Sequence, residues 1–565
     1  MLPKMINPDG ISKWRSVDFG GIIHTLAAGN GDIWDDENII SDEYPVLVTR
    51  APEHKIQSSF AGKYGVLQIG PAETDVILVG ASAIKYKGKN VTASFSEVQT
   101  LTQFNPFAII MPAKKWIRTD VIGIVSSWPA SANYGDVYCV GTTCKYWDGS
   151  AWQTLGPIMG NIEASVTTNV TITTDTEAGV PISNTIHGAS VDFTSYFQKG
   201  DGLTLSGTAF PTEATLVVRN VTQHELTFDD DENVFTPTGT AKSATIKRTM
   251  PDLDWLCVNE RRAWGCKGKT IYASKLADFK NWNVFEGLAS DSYAVDVLSE
   301  GDLTGCVSFM GYPVFFKETG IYKVYGNRPS NFEVMGSAST GCVDGRTLAI
   351  ASETLFYLSR VGVMSYNGGY PQSISDQLGD IITGSFDACA VADGSKYLLW
   401  YDGADAILEY DTKRGMWHKL RPRNITGTPL FGARYNNRAG IVTTADEFWA
   451  VQSSGTNETI EYFVEWADFT EDVSKAPQYG ANKKGTSKVQ LRMTLGEDSS
   501  AHVKMRFDSE GDWISVKNLA TQHVKKSYYL PIIPRRSDHF RIRIEGTGHF
   551  ELYSLSRENY KGSAI

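Results

Sequence analysis

A short β-meander recurs along the chain at nearly constant spacing, and this repeat limits the possible folds more than any other feature. Each copy has an apolar strand, a polar turn, an aromatic-rich strand and a third strand. A single meander cannot bury one of its faces, so it needs neighbours of the same kind. Aligned copies begin at Leu256, Cys306, Leu348, Cys389 and Gly432, in steps of 50, 42, 41 and 43 residues.

A period near 40 residues with several short strands per unit is typical of a β-propeller. Two earlier meanders, within residues 58–118, bring the count to about seven blades. We therefore predict an all-β protein with a β-propeller in two parts, 58–118 and 251–459. Because propellers often close by pairing their two ends, we expect the segment before residue 65 to add a strand to the blade after residue 432.

The segments outside the repeat predict further β-modules. Residues 1–57 are loop-rich and predict an extended arm, and residues 460–484 predict a linker. Residues 119–250 predict an inserted hairpin module and a small β-barrel, because they are rich in Thr, Val and Gly turns. Residues 485–565 contain alternating strands such as Phe540–Ile544, and predict a C-terminal β-sandwich.

Composition agrees with a folded β-protein. Hydrophobic residues make up 42% of the chain and charged residues 21%, which is typical of a globular rather than a disordered chain. The net charge of −11 argues against a protein that wraps nucleic acid, and fits a surface to which DNA does not adhere. We expect no secretory signal, because MLPKMINPDG lacks an apolar core, and no membrane span, because no run of 18 apolar residues occurs.

No catalytic or nucleotide-binding motif occurs in the sequence, and none of the seven Cys has CxxC spacing. We therefore predict no enzyme activity, no metal site and no cofactor. Cys139 and Cys144 are the one close pair, and both a hairpin disulfide and two free thiols agree with their spacing. Asp229–Glu232 could bind a cation, but without an EF-hand spacing a solvated turn is favoured, as it is for Asp35–Glu37.

Several blade motifs resemble those of a known family. They include Arg262-Ala-Trp-Gly265, Ile271-Tyr-Ala-Ser274, Phe279-Lys-Asn-Trp282, Phe315-Phe-Lys317, Gly320-Ile-Tyr322, Leu355-Phe-Tyr-Leu-Ser-Arg360 and Asn367-Gly-Gly369. These motifs resemble the packaged-DNA stabilisation proteins of short-tailed bacteriophages, also called tail hub or nozzle proteins. The likeness covers residues 255–455 and, more weakly, residues 40–118.

The resemblance implies a structural protein of the phage tail. Proteins of this family form a ring, usually a hexamer, below the portal and adaptor. The ring extends the DNA channel, retains packaged DNA and passes it during ejection. The implied partners are further copies of the chain, the portal or adaptor and other tail proteins, and double-stranded DNA that passes without sequence-specific binding. The implied location is the virion, after synthesis in the host cytoplasm.

The alternative is a receptor-binding tail protein, or adhesin, that binds host glycan through the inserted or C-terminal β-domains. Its candidate glycan-facing residues are Tyr146, Trp147 and Trp152, because aromatic rings can stack on sugars. Packing within a hairpin explains the same three residues. A cell-wall hydrolase is a third reading of such a chain.

Two basic pairs are candidate subunit contacts. They are Lys483 with Lys484, and Arg535 with Arg536. Each pair could meet an acidic face of a neighbouring subunit, whereas a solvated surface would explain them equally.

Overall fold

Short strands make up most of the chain, as the repeat of apolar and aromatic segments predicts. The computed structural model describes residues 11–25, 32–58, 63–229, 234–382, 387–402, 405–435, 438–452, 459–469, 484–508, 511–532 and 535–561. Within these ranges no helix is long and apolar enough to cross a membrane. The helical segments in these ranges are short 3-10 segments at Glu73–Asp75, Phe193–Ser195, Pro329–Asn331, Gly345–Thr347 and Asp376–Ile381.

Residues 11–248 contain an arm, two blades and two insertions. The arm has β1 (Ile11–Ser16), β2 (Ile33–Glu37), β3 (Ile39–Ile40), β4 (Leu47–Thr49) and β5 (His54–Ser58). Blade 1 has β6 (Val66–Gln68), β7 (Val76–Val79), β8 (Ala83–Tyr86) and β9 (Lys89–Thr92), and blade 2 begins with β10 (Thr100–Phe104), β11 (Phe107–Met111) and β12 (Lys115–Arg118). The first insertion has β13 (Val121–Val125), β14 (Val137–Val140), β15 (Thr143–Trp147) and β16 (Trp152–Pro157), after which β17 (Met159–Asn161) completes blade 2. The second insertion has β18 (Ala164–Glu177), β19 (Val180–His187), β20 (Gly202–Gly207), β21 (Phe210–Val217), β22 (Asn220–Val221), β23 (Glu225–Asp229) and β24 (Lys242–Arg248).

The remaining strands form blades 3 to 7 and most of the sandwich. Blade 3 has β25 (Trp255–Asn259), β26 (Arg262–Lys267), β27 (Thr270–Ala273) and β28 (Tyr293–Asp296), and blade 4 has β29 (Gly305–Phe309), β30 (Tyr312–Lys317), β31 (Gly320–Tyr325) and β32 (Glu333–Ala338). Blade 5 has β33 (Ala349–Ala351), β34 (Thr354–Ser359), β35 (Gly362–Tyr366) and β36 (Gln372–Ser373), and blade 6 has β37 (Ala388–Asp393), β38 (Lys396–Tyr401), β39 (Ala406–Asp411) and β40 (Met416–Leu420). Blade 7 has β41 (Pro429–Tyr435), β42 (Arg438–Thr443) and β43 (Glu447–Ala450). The chain continues with β44 (Glu461–Trp466), β45 (Lys484–Leu495), β46 (Ser500–Phe507), β47 (Ile514–Leu519), β48 (His523–Tyr529), β49 (Arg536–Ser537), β50 (Phe540–Thr547) and β51 (Phe550–Lys561).

The blades close into a ring through their first strands. Contacts join β6 with β10, β10 with β25, β25 with β29, β33 with β37, β37 with β41 and β41 with β6. Strand β29 contacts the turn Gly345–Thr347, which directly precedes β33. The fourth strand of blade 7 is β5, which pairs antiparallel with β43 and supplies the expected closure between the two ends of the propeller. The prediction of an all-β propeller of seven blades with inserted modules and a sandwich is confirmed.

The hairpin turns between the first and second strands of blades 3, 4 and 5 have left-handed backbone at both central residues. The φ values are 46° and 64° at Glu260 and Arg261, 52° and 81° at Met310 and Gly311, and 46° and 62° at Ser352 and Glu353. Turns with this backbone match the right-handed twist of the flanking strands. Most L-residues adopt this left-handed backbone only at a cost in free energy. The tight hairpins therefore form against the local backbone preference of these turn residues.

The predicted insertion at 119–250 is two insertions rather than one. Strand β17 pairs with β12 as the outer strand of blade 2, so the chain returns to the propeller between them. The first insertion is a four-stranded sheet, and the second is a seven-stranded sheet in the order β21-β20-β24-β18-β19-β23-β22. The second insertion has its own core, which includes Ile186, Phe193 and Phe228. The interruption was predicted as continuous because β17 is only three residues long.

The predictions of an extended arm at 1–57 and a linker at 460–484 are wrong in part. Strands β1, β3 and β4 join the seven-stranded sheet of the sandwich, and β2 pairs with β44 at the edge of its five-stranded sheet. Residues 461–466 therefore form a sandwich strand, and residues 470–483 lie outside the described residues. The sandwich consequently needs the arm, the supposed linker and the segment 484–561 together.

The sandwich and the propeller share one continuous core. Leu358 of blade 5 and Leu399 and Trp417 of blade 6 belong to the same buried cluster as Met505 and Ile544 of the sandwich. Shared apolar burial of this kind favours a fixed orientation between the two parts over an independent hinge.

Replacing the turn residues Glu260 and Arg261 by Asn and Gly should stabilise the protein by about 1 kcal/mol, because Asn and Gly suit this backbone.

Gly311→Ala is the matched test at the corresponding turn of blade 4, where φ is 81° and an added Cβ meets no atom within 4 Å. It should lower stability by about 1 kcal/mol through backbone strain alone. Thermal unfolding midpoints measure both changes, and shifts of the same sign would contradict the turn assignment.

Candidate functional site

The most strongly constrained polar site lies where the arm passes between the propeller and the sandwich. Asn38 is 2% exposed, and its φ of 61° suits Asn better than most residues. Its side-chain amide donates to the carbonyl of Glu461 at 2.7 Å, and its Oδ1 accepts from Arg50 Nε at 2.7 Å and from the amide of Arg421 at 2.9 Å. Its backbone amide donates to the carbonyl of Lys419 at 2.8 Å. One side chain therefore joins the arm, blade 6 and the sandwich.

Arg50 extends this joint toward blade 7. Its guanidinium is buried, and it donates to Glu53 Oε2 at 2.7 Å and to the carbonyl of Val451 at 3.2 Å. Glu53 in turn accepts from the amides of Arg423 and Asn424, each at 2.9 Å. A buried charge is tolerated when it is paired and hydrogen-bonded in this way.

A second buried pair joins β2 to the outer strand of blade 6. His418 Nδ1 and Asp36 Oδ2 lie 2.6 Å apart, and both side chains are almost completely buried. Asp36 Oδ1 also accepts from the amide of Lys419 at 2.9 Å. Burial opposes the charged imidazole, but the Asp36 carboxylate outweighs it, so the pKa of His418 is raised. The prediction that Asp35–Glu37 form a solvated turn is therefore wrong, since these residues lie in β2.

Near this pair lies a polar cavity of about 360 Å³. Its wall includes Glu409, which is fully buried and accepts from Lys396 Nζ at 2.6 Å and from Gln452 Nε2 at 2.9 Å. Burial raises the pKa of the Glu409 carboxyl, and Lys396 opposes that shift. Lys396 also contacts Asp42 of the arm. Because both oxygens of Glu409 are occupied, the group is suited to holding blades 6 and 7 and the arm together.

A cleft of about 720 Å³ opens beside the joint, between the arm, blade 6 and the sandwich. Arg421 faces Glu37 at 3.4 Å, and Arg423 pairs with Glu461. Since each of these arginines already has a carboxylate, the cleft has little net charge with which to select an ionic ligand.

The structure separates the three aromatic residues that were predicted to face glycan. Trp147 and Trp152 lie directly opposite each other on β15 and β16, with ring centroids 5.3 Å apart. Trp128 and Tyr138 lie 5.5 and 5.8 Å from Trp152. Tyr146 instead packs against the core shared by the first insertion and blades 1 and 2. We call Trp128, Tyr138, Trp147 and Trp152 the aromatic face; it includes two of the three predicted residues.

The turn between Trp147 and Trp152 is held by Asp148. Its Oδ1 accepts from the amides of Ser150 and Ala151, each at 2.8 Å, and its Oδ2 accepts from Gln153 at 2.7 Å. Hydrogen bonds from these amides hold the pKa of Asp148 below its usual range. This turn fixes the spacing of the two tryptophans.

The cysteines are packed within blades or bonded. Cys139 and Cys144 form a disulfide across β14 and β15, which decides between the two alternatives left by the sequence. Cys257 and Cys266 are buried between blades 3 and 4, with Cys306 packed against them. Burial raises the pKa of the Cys306 thiol well above its usual value, which disfavours the reactive thiolate.

Within the described ranges, Asp508, Asp538 and His539 are the one group of three with metal-ligand atoms mutually within 4.8 Å. The carboxyl of Asp508 shares a hydrogen bond with that of Asp538, which raises the pKa of Asp508. The amide of Asp538 donates to Asp508 at 3.1 Å, so these contacts also explain the turn without any ion. Of the acidic run Asp229–Glu232, Asp229 pairs with Arg219 at 2.8 Å, and the other residues lie outside the described ranges.

The structure describes the two predicted basic pairs only in part. Lys483 and the side chain of Lys484 lie outside the described residues, whereas the backbone of Lys484 pairs with Ser537 of β49. Arg535 and Arg536 are exposed, and the Arg535 guanidinium lies 5.9 Å from the Phe507 ring. Strand pairing therefore places the backbone of Lys484 beside β49, which contains Arg536.

A further basic surface was missed in the sequence because its residues come from distant segments. Lys13 of β1 and Lys488 of β45 flank Glu558 of β51 in one cross-strand row, and Arg15 lies on the same outward side of β1. Arg492, four residues after Lys488 on β45, is also exposed. We call Lys13, Arg15, Lys488 and Arg492 the basic face. Only the register of β1, β51 and β45 reveals it.

The comparisons with known proteins add little. No known protein family matches the chain, and no curated protein matches it. Similar solved structures include a Bacteroides thetaiotaomicron protein of unknown function, with 10% identity over 49% of this chain and 81% of that chain and a TM-score of 0.23. They also include apo AztD from Citrobacter koseri (8% identity, 70% and 95% covered, TM-score 0.24) and a Phanerochaete chrysosporium exo-beta-1,3-galactanase (10% identity, 81% and 95% covered, TM-score 0.15). These scores are too low to carry an argument about function.

The buried Asp36–His418 pair predicts a pH-dependent stability. Because the folded-state pKa of His418 is raised above 6.5, its stabilising effect is complete below pH 6.5 and is lost as the pH rises through the folded-state value. The thermal unfolding midpoint should therefore fall across this window. Asp36→Asn should cost about 3 kcal/mol and flatten that fall.

His502→Gln is the control for this measurement, since His502 lies on the sandwich and is only partly buried. It should keep the wild-type dependence on pH. An unchanged slope in Asp36→Asn would show that another group causes the pH dependence.

Proposed function

We propose that the chain is a structural subunit of a ring in the tail of a short-tailed bacteriophage, at the hub or nozzle. The observation that carries this proposal is the concentration of exposed apolar side chains on blades 3 to 5, where the blade motifs resemble that family. A ring subunit needs such surfaces for its neighbours, whereas an isolated globular protein seldom keeps them.

This concentration is uneven around the propeller. Among the residues that the structure describes, ten of the 21 exposed large hydrophobic residues lie within residues 255–373: Leu276, Phe285, Leu288, Leu298, Met310, Tyr312, Met335, Ile350, Val361 and Tyr370. Blades 6 and 7, in their described parts, have none. Blades 5 and 6 share their core with the sandwich. The exposed apolar side chains of blades 3 to 5 are the candidate contacts with other chains.

In the proposed ring, usually a hexamer in the family that the motifs resemble, the subunits extend the DNA channel and retain packaged DNA until ejection. The net charge of −11 supports passage of DNA without adhesion. The rigid joint around Asn38 supports a wall that keeps its shape. The proposed partners are the portal or adaptor and other tail proteins, and the proposed location is the virion.

The proposed role is not enzymatic. The buried carboxylates at the joint already have partners, as the contacts of Asp36 and Glu409 illustrate.

The purified chain should assemble into a closed ring, visible by electron microscopy and measurable by mass photometry. Met310→Glu combined with Tyr370→Glu should weaken assembly by about tenfold or more, because charges would be buried at the contact. Val180→Glu is the control, since Val180 is 63% exposed but lies on the second insertion. A chain that stays monomeric at all concentrations would overturn the proposal.

A second candidate function, glycan binding by an adhesin, is favoured by the aromatic face alone. Trp147→Ala and Trp152→Ala should each reduce binding to host-surface polysaccharide about tenfold if sugars stack there. Tyr370→Ala, an exposed aromatic on blade 5, is the control and should bind as wild type does. Absence of polysaccharide binding by the wild-type protein would reject this candidate and leave the ring proposal intact.

A further inference from the structure

An acidic loop projects from blade 3 into solvent. It comprises residues 296–302, and its exposed members include Asp296, Glu300 and Asp302. At its tip Leu298 is 88% exposed, the highest value among the large hydrophobic residues described. We call residues 296–302 the acidic loop. A leucine presented between carboxylates offers apolar surface that gains free energy when a partner buries it.

The acidic loop is held rigidly at its base. Lys317, which is fully buried, donates from Nζ to the carbonyls of Val297 at 2.9 Å and Ser299 at 2.7 Å. The hydroxyls of Ser299 and Tyr322 lie 2.7 Å apart. The amide of Leu303 donates to the carbonyl of Gly268 at 2.8 Å. The exposure of Leu298 is therefore built into blades 3 and 4, because the backbone on both sides of it is bonded.

The basic face has the complementary character. It contains four cations, and Glu558 is the carboxylate among them, at 3.7 Å from Lys13 and 3.3 Å from Lys488. Within the described part of the chain, Arg15 and Arg492 have no ion-pair partner. This net positive surface lies on a chain whose overall net charge is −11.

The basic face also offers a recess. A groove of about 330 Å³ runs along it, and its lining includes Lys13, Arg15, Lys488, Glu558 and the aromatic ring of Tyr529. Tyr529 is 66% exposed, so its ring is available to a partner. Aromatic residues beside cations suit an apolar side chain that is flanked by carboxylates.

We propose that the basic face of one subunit receives the acidic loop of a second copy of the chain, with Leu298 in the groove. Three carboxylates of the acidic loop then meet the basic face, whose four cations and one carboxylate give it a net positive charge. The two surfaces lie on different parts of the chain, the sandwich and blade 3, so the contact is head-to-tail and repeats from subunit to subunit. The inference rests on the proposed ring and names the contact that closes it.

Charge reversal tests the contact directly. Arg15→Glu with Arg492→Glu reverses the basic face without breaking an ion pair inside the described part of the subunit, and Glu300→Lys with Asp302→Lys reverses the acidic loop. Each double variant should shift the concentration for ring assembly upward by about tenfold or more, because like charges then oppose each other. Mass photometry across a concentration series measures this shift.

Combining the two double variants is the decisive measurement. Opposite charges then meet again, so assembly should return to within about threefold of wild type. Lys525→Glu with Lys526→Glu is the control: it makes the same charge change on exposed residues of the same sandwich and should leave assembly unchanged. Circular dichroism and thermal unfolding establish that all the variants remain folded.

The outcomes separate this inference from the ring itself. A wild-type ring with charge-reversed variants that assemble normally, or with a combined variant that is not restored, would overturn the contact and leave the ring standing. A wild-type chain that never assembles would overturn both.

Double-stranded DNA is the competing occupant of a basic face. A fluorescent duplex should show no more binding to wild type than to the Arg15→Glu, Arg492→Glu variant at low salt. Loss of duplex binding in that variant, with assembly unaffected, would assign the basic face to DNA and overturn the proposed contact.

Discussion

The structure depends on how the arm is fixed between its two large parts. Asn38 is the centre of this arrangement, because its one buried amide is bonded to the sandwich at Glu461 and to blade 6 at Arg421. Hydrogen bonds inside a low-dielectric core are directional and costly to leave unmade. The shared apolar core already favours one orientation of the sandwich on blades 5 and 6, and this polar joint adds directional bonds that specify it further. The buried ion pairs of Arg50 and Asp36 act in the same way, with specificity as their main contribution.

The same arm explains why the propeller and the sandwich are not separate domains in the ordinary sense. Strands β1 to β4 complete the sandwich, and β5, a few residues later, completes blade 7. Each part therefore lacks strands without the other end of the chain. Loosening one part would expose unpaired strand edges on both, so cooperative unfolding is the expected behaviour. Such a topology replaces a flexible linker by two interlocked sheets.

Sequence patterns predicted the parts of the fold that depend on local periodicity. The blade repeat starting at Leu256, and the strand alternation of Phe540–Ile544, are visible because each strand shows its own buried face. The arm was harder, since Asp35, Asp36 and Glu37 look like a solvated run until His418 and Arg421 are brought beside them. The basic face was missed for the same reason: Lys13 and Lys488 are 475 positions apart and become neighbours only through strand β51. For the candidate sites, residue type was readable from the sequence, but long-range register was not.

The closure by β5 also governs the order in which the protein can be completed. Ser58 pairs with Glu447, which leaves the ribosome 389 residues later. At ordinary rates of protein synthesis of about 5–20 residues per second, strand β5 waits roughly 20–80 seconds for its partner β43. During that interval the arm carries unpaired backbone edges, and neither blade 7 nor the sandwich can form. A chain that ends before β43 therefore cannot close its propeller.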